Sequence, residues 1–179
     1  MRNLISSSLL LTMLFGGSTT TLIAQEAADP LAGQSDIPNY YRLREDIVTA
    51  GQPTEQGFEN LKEAGFTTIV NLRTEEEGAA EEKVQVENMG LTYYNIPIGR
   101  DGFTPEMIET FSEILESPDR GPLVIHCASS NRVGALWYLY QVLDAGEAPD
   151  AALAEGKKAG LTSEALEKRA TDYIAQAQK

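Results

Sequence analysis

The chain has 179 residues, 42% of them hydrophobic, and sets 27 acidic side chains against 14 basic ones for a formal net charge of −13. The long-range field of such a chain repels nucleic acid and anionic membranes, so neither is an expected partner and any anion site has to be built locally. A single cysteine and a single histidine exclude an internal disulfide, a two-histidine metal site and a histidine base working from elsewhere in the chain. No metal and no cofactor is expected.

At the start, Arg2 precedes an apolar segment from Leu4 to Phe15, then small residues, then Leu22-Ile23-Ala24. This is the pattern of a secretory signal peptide over 1–24, cut after Ala24, and it implies an exported, periplasmic or secreted product without stable membrane insertion after cleavage. A retained anchor is the alternative, disfavoured by Ser6, Ser7 and Ser8 and by the short span. Residues 25–36 are small, polar and contain Pro and Gly, which predicts a flexible lead-in. The remainder, 37–179, reads as one domain without internal repeats.

From Asn39 to Ala50 the pattern predicts two short strands joined at Glu45-Asp46, at a sheet edge. Thr54 is placed to cap a helix carrying Phe58, Leu61 and Ala64, with Gly65 at its end. The β-branched run Phe66–Leu72 suits a strand buried on both faces, with Arg73 at its carboxyl end. Glu75, Glu76, Glu77, Glu81 and Glu82 read as a solvated loop and the first turn of a helix that carries Ala80, Val84, Val86 and Met89. Leu91–Ile96 reads as a strand, Gly99-Arg100-Asp101-Gly102 as a loop, and Thr104-Pro105 as the cap and first residue of a helix burying Met107, Phe111, Ile114 and Leu115.

Next comes Leu123-Val124-Ile125-His126-Cys127-Ala128-Ser129-Ser130-Asn131-Arg132-Val133, an apolar strand, a short polar loop and the start of a helix apolar nearly all round, with Trp137 in its core face. Two further helices over 149–159 and 162–178 close the chain. The alternation predicts an α/β fold, a mostly parallel central sheet with helices on both faces, and such sheets bind ligands beyond the carboxyl ends of their strands. That places Cys127, Arg73 and the Arg100-Asp101 loop near one another.

A thiol between a strand end and a helix N-terminus, with an arginine in the first turn, sits where charged sulfur is stabilised. The same helix amides and the guanidinium can hold the oxygens of a tetrahedral oxyanion. A merely structural cysteine would leave the polar loop and Arg132 without a role.

His126-Cys127 followed by a short loop and Arg132 resembles the signature of the cysteine-dependent tyrosine and dual-specificity phosphatase superfamily. Together, Ala50-Gly51-Gln52-Pro53, Ile69-Val70-Asn71-Leu72-Arg73 and the stretch from His126 to Leu136 resemble the bacterial tyrosine-phosphatase-like family that also occurs fused to metallo-β-lactamase-type domains. The resemblance implies a tyrosine-phosphatase-like fold in which Cys127 is the nucleophile, Arg132 the transition-state clamp and the amides of Ala128, Ser129, Ser130 and Asn131 the oxyanion cradle. His126 would orient the loop and help keep the thiol ionised, with Gln52 and Arg73 in support. Asp101, upstream of a helix, is either the general acid or a turn aspartate beside Gly102.

Three positions depart from the superfamily pattern. Four residues separate Cys127 from Arg132, one fewer than usual and the spacing of rhodanese-type sulfurtransferases. Val133 stands where Ser or Thr assists departure of the thiolate, and Ser130 where a glycine is common. The leading expectation is a phosphatase-like hydrolase that acts on a small anionic or phosphorylated substrate through a Cys127 thiophosphate. The alternatives are sulfur transfer through a Cys127 persulfide and a non-catalytic anion-binding module.

Overall fold

A computed structural model describes residues 29–179. The expected signal segment, 1–24, and the first residues of the expected lead-in lie outside the described residues. From Asp29 on, the lead-in is tied down. Leu31 is 3% exposed in a hydrophobic cluster, Asp29 accepts from Tyr40 Oη and Arg42 Nε, and Asp36 accepts from the Thr54 hydroxyl.

Five strands form one sheet: β1 (Tyr41–Arg44), β2 (Ile47–Ala50), β3 (Thr68–Asn71), β4 (Thr92–Asn95) and β5 (Leu123–His126), in the order β1-β2-β5-β3-β4. Only β1 is antiparallel, a hairpin partner at one edge. The other four run parallel and in register, so Ala50, His126, Asn71 and Asn95 stand side by side at their carboxyl ends. This row aligns the start of every functional loop.

Successive strand side chains point to opposite faces, which explains the near-continuous apolar runs. Ile47, Val70, Leu123, Ile125 and Cys127 enter one core, beneath α3 (Pro105–Glu116), α4 (Asn131–Leu143), α5 (Pro149–Lys158) and α6 (Glu164–Ala177). Val48, Ile69 and Val124 enter the other, beneath α1 (Glu55–Glu63) and α2 (Ala79–Asn88). The expected caps form: Thr54 accepts from Gly57 N and Thr104 from Met107 N, with Pro105 in the first turn.

The helix after the central strand, α4, is set by a close approach. A Cβ on Gly134 would lie 2.3 Å from Gly156 O, and one on Gly156 would lie 2.7 Å from Gly134 O. No larger residue fits at that crossing, so α5 backs directly onto the helix that carries Arg132.

Candidate active site

The loop after β5 is shaped by partners on both sides. Its incoming half is drawn to the β2 end, where Cys127 N donates to Ala50 O and Gln52 N donates to Ala128 O at 3.2 Å, and Asn39 Nδ2 donates weakly to Ser129 O. Its outgoing half is held by the C-terminal helices. Ser130 is buried with φ of +66°, and its hydroxyl donates to Ala159 O at 2.8 Å. Asn131 Oδ1 accepts from Thr162 N and Ser163 N, 2.8 and 2.7 Å away.

The carbonyls are thus pulled outward. Among the described residues no hydrogen bond takes the backbone N–H of Ala128, Ser129, Asn131 or Arg132, and the first amides of a helix have no partner within it. They remain for an anion. The Ser130 and Asn131 side chains, by contrast, are structural. Cys127 lies at the floor of this loop, 1% exposed.

Arg132 is anchored before any substrate arrives. Its two terminal nitrogens donate to the two oxygens of Glu77, at 2.7 and 2.8 Å, and Nη1 also donates to Leu72 O and Ile98 O. A guanidinium has five N–H donors on two usable edges. Glu77 occupies one edge, and its hydrogen bonds are the main reason the guanidinium is held above its ordinary value; among the described residues the Nε edge has no partner and remains to grip an oxyanion. Glu77 is itself fixed by the backbone N–H of Thr74 at 2.9 Å.

The Arg132 guanidinium holds the Glu77 carboxyl down, at about 2 against an ordinary 4.5, with Thr74 assisting and partial burial opposing. A carboxylate depressed by folding stabilises the fold above its unfolded value and loses that contribution as pH falls through the folded one. Stability should therefore decline from about pH 4.5 down to about 2 through this pair, and a Glu77→Gln variant should decline less over that window. Titration of the Glu77 carboxyl resonance checks this directly; a midpoint in the ordinary range overturns it.

Beneath the loop lies a second network, centred on Glu82, which is 5% exposed. Its carboxylate accepts from Gln52 Nε2 at 2.6 Å, Asn71 Nδ2 at 2.7 Å, and Arg73 Nη1 and Tyr93 Oη at 3.3 Å. His126 Nε2 is 3.0 Å away, off the line of a directional hydrogen bond. Burial resists its ionisation, but His126, Gln52 and Arg73 outweigh burial and hold the carboxyl below its usual range. The structure therefore brings Gln52, Arg73 and His126 together on one carboxylate.

Two expectations change here. Glu77 and Glu82, expected in a solvated run, are an arginine anchor and a buried hub, because α2 turns Ala79, Glu82 and Val86 inward and leaves Val84 60% exposed. His126 does not touch the thiol. Its ring packs edge-on against Phe58 on the α1 side of the sheet, whereas Cys127 faces the α4 side, since adjacent strand residues alternate. Its influence on the loop passes through the backbone, where His126 O accepts from Leu72 N.

Arg132 opens onto a cavity of about 770 Å³ walled also by Glu76, Glu77, Ile98, Arg100, Leu166 and Arg169. Asp101 borders a neighbouring cavity of about 340 Å³ with Lys168, Arg169 and Asp172. Arg169 separates the two, donating to Arg100 O. Arg100 and Arg169 come from segments 69 positions apart.

A family model described as DSP-PTPase phosphatase fused to NAD+ kinase matches residues 33–173. The beta-lactamase hydrolase-like protein of Agrobacterium fabrum (strain C58) is 31% identical over 108 residues, 58% of this chain and 25% of that protein. Its namesake in Xylella fastidiosa (strain Temecula1) is 28% identical over 107 residues, 57% of this chain and 25% of that protein. The chain thus spans about a quarter of the length of these curated relatives.

Among solved structures, a putative phosphatase (DUF442) from Shewanella putrefaciens CN-32 is similar with a TM-score of 0.62 and 25% identity, over 78% of this chain and 93% of that one. P. aeruginosa TpbA in complex with pTyr gives 0.61 and 20%, over 76% and 82%. The core catalytic domain of the PP-IP phosphatase SIW14 from S. cerevisiae, in complex with citrate, gives 0.61 and 20%, over 78% and 85%.

Proposed function

The chain belongs to the family described as DSP-PTPase phosphatase fused to NAD+ kinase, and from that premise we propose that it is a phosphate-monoester hydrolase whose nucleophile is Cys127. The observation that carries the reading is Arg132, held by Glu77 through its terminal nitrogens and, among the described residues, without a partner at Nε, at the end of a loop that begins at Cys127 and whose amides at Ala128, Ser129 and Asn131 have no partner among those residues. Of the solved structures named above, one is described as a putative phosphatase, one as a PP-IP phosphatase and one is bound to pTyr, which favours phosphoryl transfer over the sulfur transfer that loop spacing alone suggests.

In the first step the Cys127 sulfur attacks phosphorus, the S–P bond forms, and the bond to the leaving oxygen breaks. In the second, water attacks phosphorus, the S–P bond breaks, and orthophosphate departs with the thiolate restored. Charge on the non-bridging oxygens meets the loop amides and the Arg132 edge, which are already in place. Hydrolysis of an aryl phosphate by the parent protein, with orthophosphate released in step with phenol, tests the reading.

Asp101 is the proposed proton donor to the leaving oxygen. Its loop is exposed and one residue from Arg100, and a general acid commonly reaches its position only in the complex. Asp101→Asn should lower turnover of alkyl phosphates on the order of 10² to 10⁴-fold while sparing nitrophenyl phosphate, whose leaving group needs no proton. An equal effect on both substrates would return Asp101 to the role of a turn residue.

A further inference from the structure

The described residues include seven arginines. Arg42, Arg44, Arg73, Arg120 and Arg132 each have a carboxylate partner. Arg100 and Arg169 have none among the described residues, in a chain with nearly twice as many acids as bases. Both line the cavity onto which Arg132 opens.

We propose that Arg100 and Arg169 form a second anion subsite, and that the substrate is a small molecule with two phosphate-type groups, one cleaved at Cys127 and the other held by this pair. The proposal rests on the phosphatase reading for which group is cleaved, and on the cavity alone for the second group.

Four features support it. The cavity, at about 770 Å³, is in the range that encloses a drug-sized ligand and far exceeds one phosphate. Its wall sets Ile98 and Leu166 beside the arginines, apolar surface suited to an organic scaffold between two anions. Arg169 donates to the backbone carbonyl of Arg100 at 3.3 Å, which joins α6 to the loop that carries Arg100 and keeps both arginines on the wall of one cavity. Finally, a chain of charge −13 repels a multiply charged ligand at long range, so the ligand must be captured by a local cluster. Glu76 also borders the cavity, and its charge leaves the wall net positive once Glu77 is counted against Arg132.

The test uses the whole chain as Cys127→Ser, which binds without turnover, titrated calorimetrically with orthophosphate and with tripolyphosphate at fixed ionic strength. Tripolyphosphate should bind about tenfold or more tightly than orthophosphate, since each added charged hydrogen bond contributes on that scale. Adding Arg100→Gln and Arg169→Gln should bring the ratio to near one. Adding Lys62→Gln and Lys83→Gln, which removes equal charge from the α1 and α2 surface, should leave the ratio as it was. Both arginines are exposed, so folding is not at risk.

Equal affinity for the two anions, or a ratio untouched by the arginine changes, overturns the subsite. Tighter binding of a phosphotyrosine peptide than of tripolyphosphate, indifferent to the arginine changes, overturns the small-molecule assignment. Failure of the parent to hydrolyse any phosphate ester, with the ratio intact, overturns the phosphatase reading and leaves the subsite standing.

Discussion

Replacing Cys127 with serine is expected to lower phosphate-ester turnover on the order of 10⁴-fold or more, because a catalytic unit that loses its nucleophile keeps only binding and electrostatic assistance. Orthophosphate binding should survive, since the amides and the Arg132 edge are untouched. The buried position of the thiol predicts a stability loss as well, about 1 to 3 kcal/mol for placing a hydroxyl among apolar neighbours. The combination is diagnostic. A structural cysteine would give the stability loss with turnover retained, and that result in stopped assays and thermal melts would end the nucleophile assignment. Parent turnover is itself expected below the ordinary range of roughly 1 to 10³ per second, because a loop one residue short offers one amide fewer to the three phosphoryl oxygens.

Arg132→Lys should cost about 10² to 10³-fold in kcat/KM, the scale for losing a preorganised oxyanion donor. The position asks for two things at once: a bidentate hold on Glu77 with contacts to the Leu72 and Ile98 carbonyls, and a free edge toward phosphate. A lysine ammonium is a point charge with no second edge. If it stays with Glu77 it leaves phosphate unbound, and if it turns to phosphate it abandons an ionised carboxylate in a half-buried place. A variant within tenfold of the parent would show that the arginine acts through charge alone.

The α/β alternation, the caps at Thr54 and Thr104 and the cysteine loop were legible because each rests on local pattern. Periodicity separates strand from helix, and the loop residues are contiguous. The two glutamates were not. Five acids lie between Glu75 and Glu82, and charge does not say which faces inward. For Glu82 a signal did exist, as it shares a helix face with Ala79 and Val86 at spacings of three and four, and an acid on a buried stripe requires a partner. Nothing local marks Glu77, whose partner is 55 positions away. Arg100 and Arg169 were hidden for the same reason, since only the fold sets a β4 loop beside α6.

The outgoing half of the cysteine loop takes its hydrogen bonds from Ala159, Thr162 and Ser163, residues 29 to 32 positions downstream. During synthesis, therefore, the nucleophile and the arginine exist for some time without the scaffold that curves the chain between them. A ribosome-bound fragment ending before Ala159 should carry every reacting group and no competent site, so that maturation of activity waits on the last stretch of the chain.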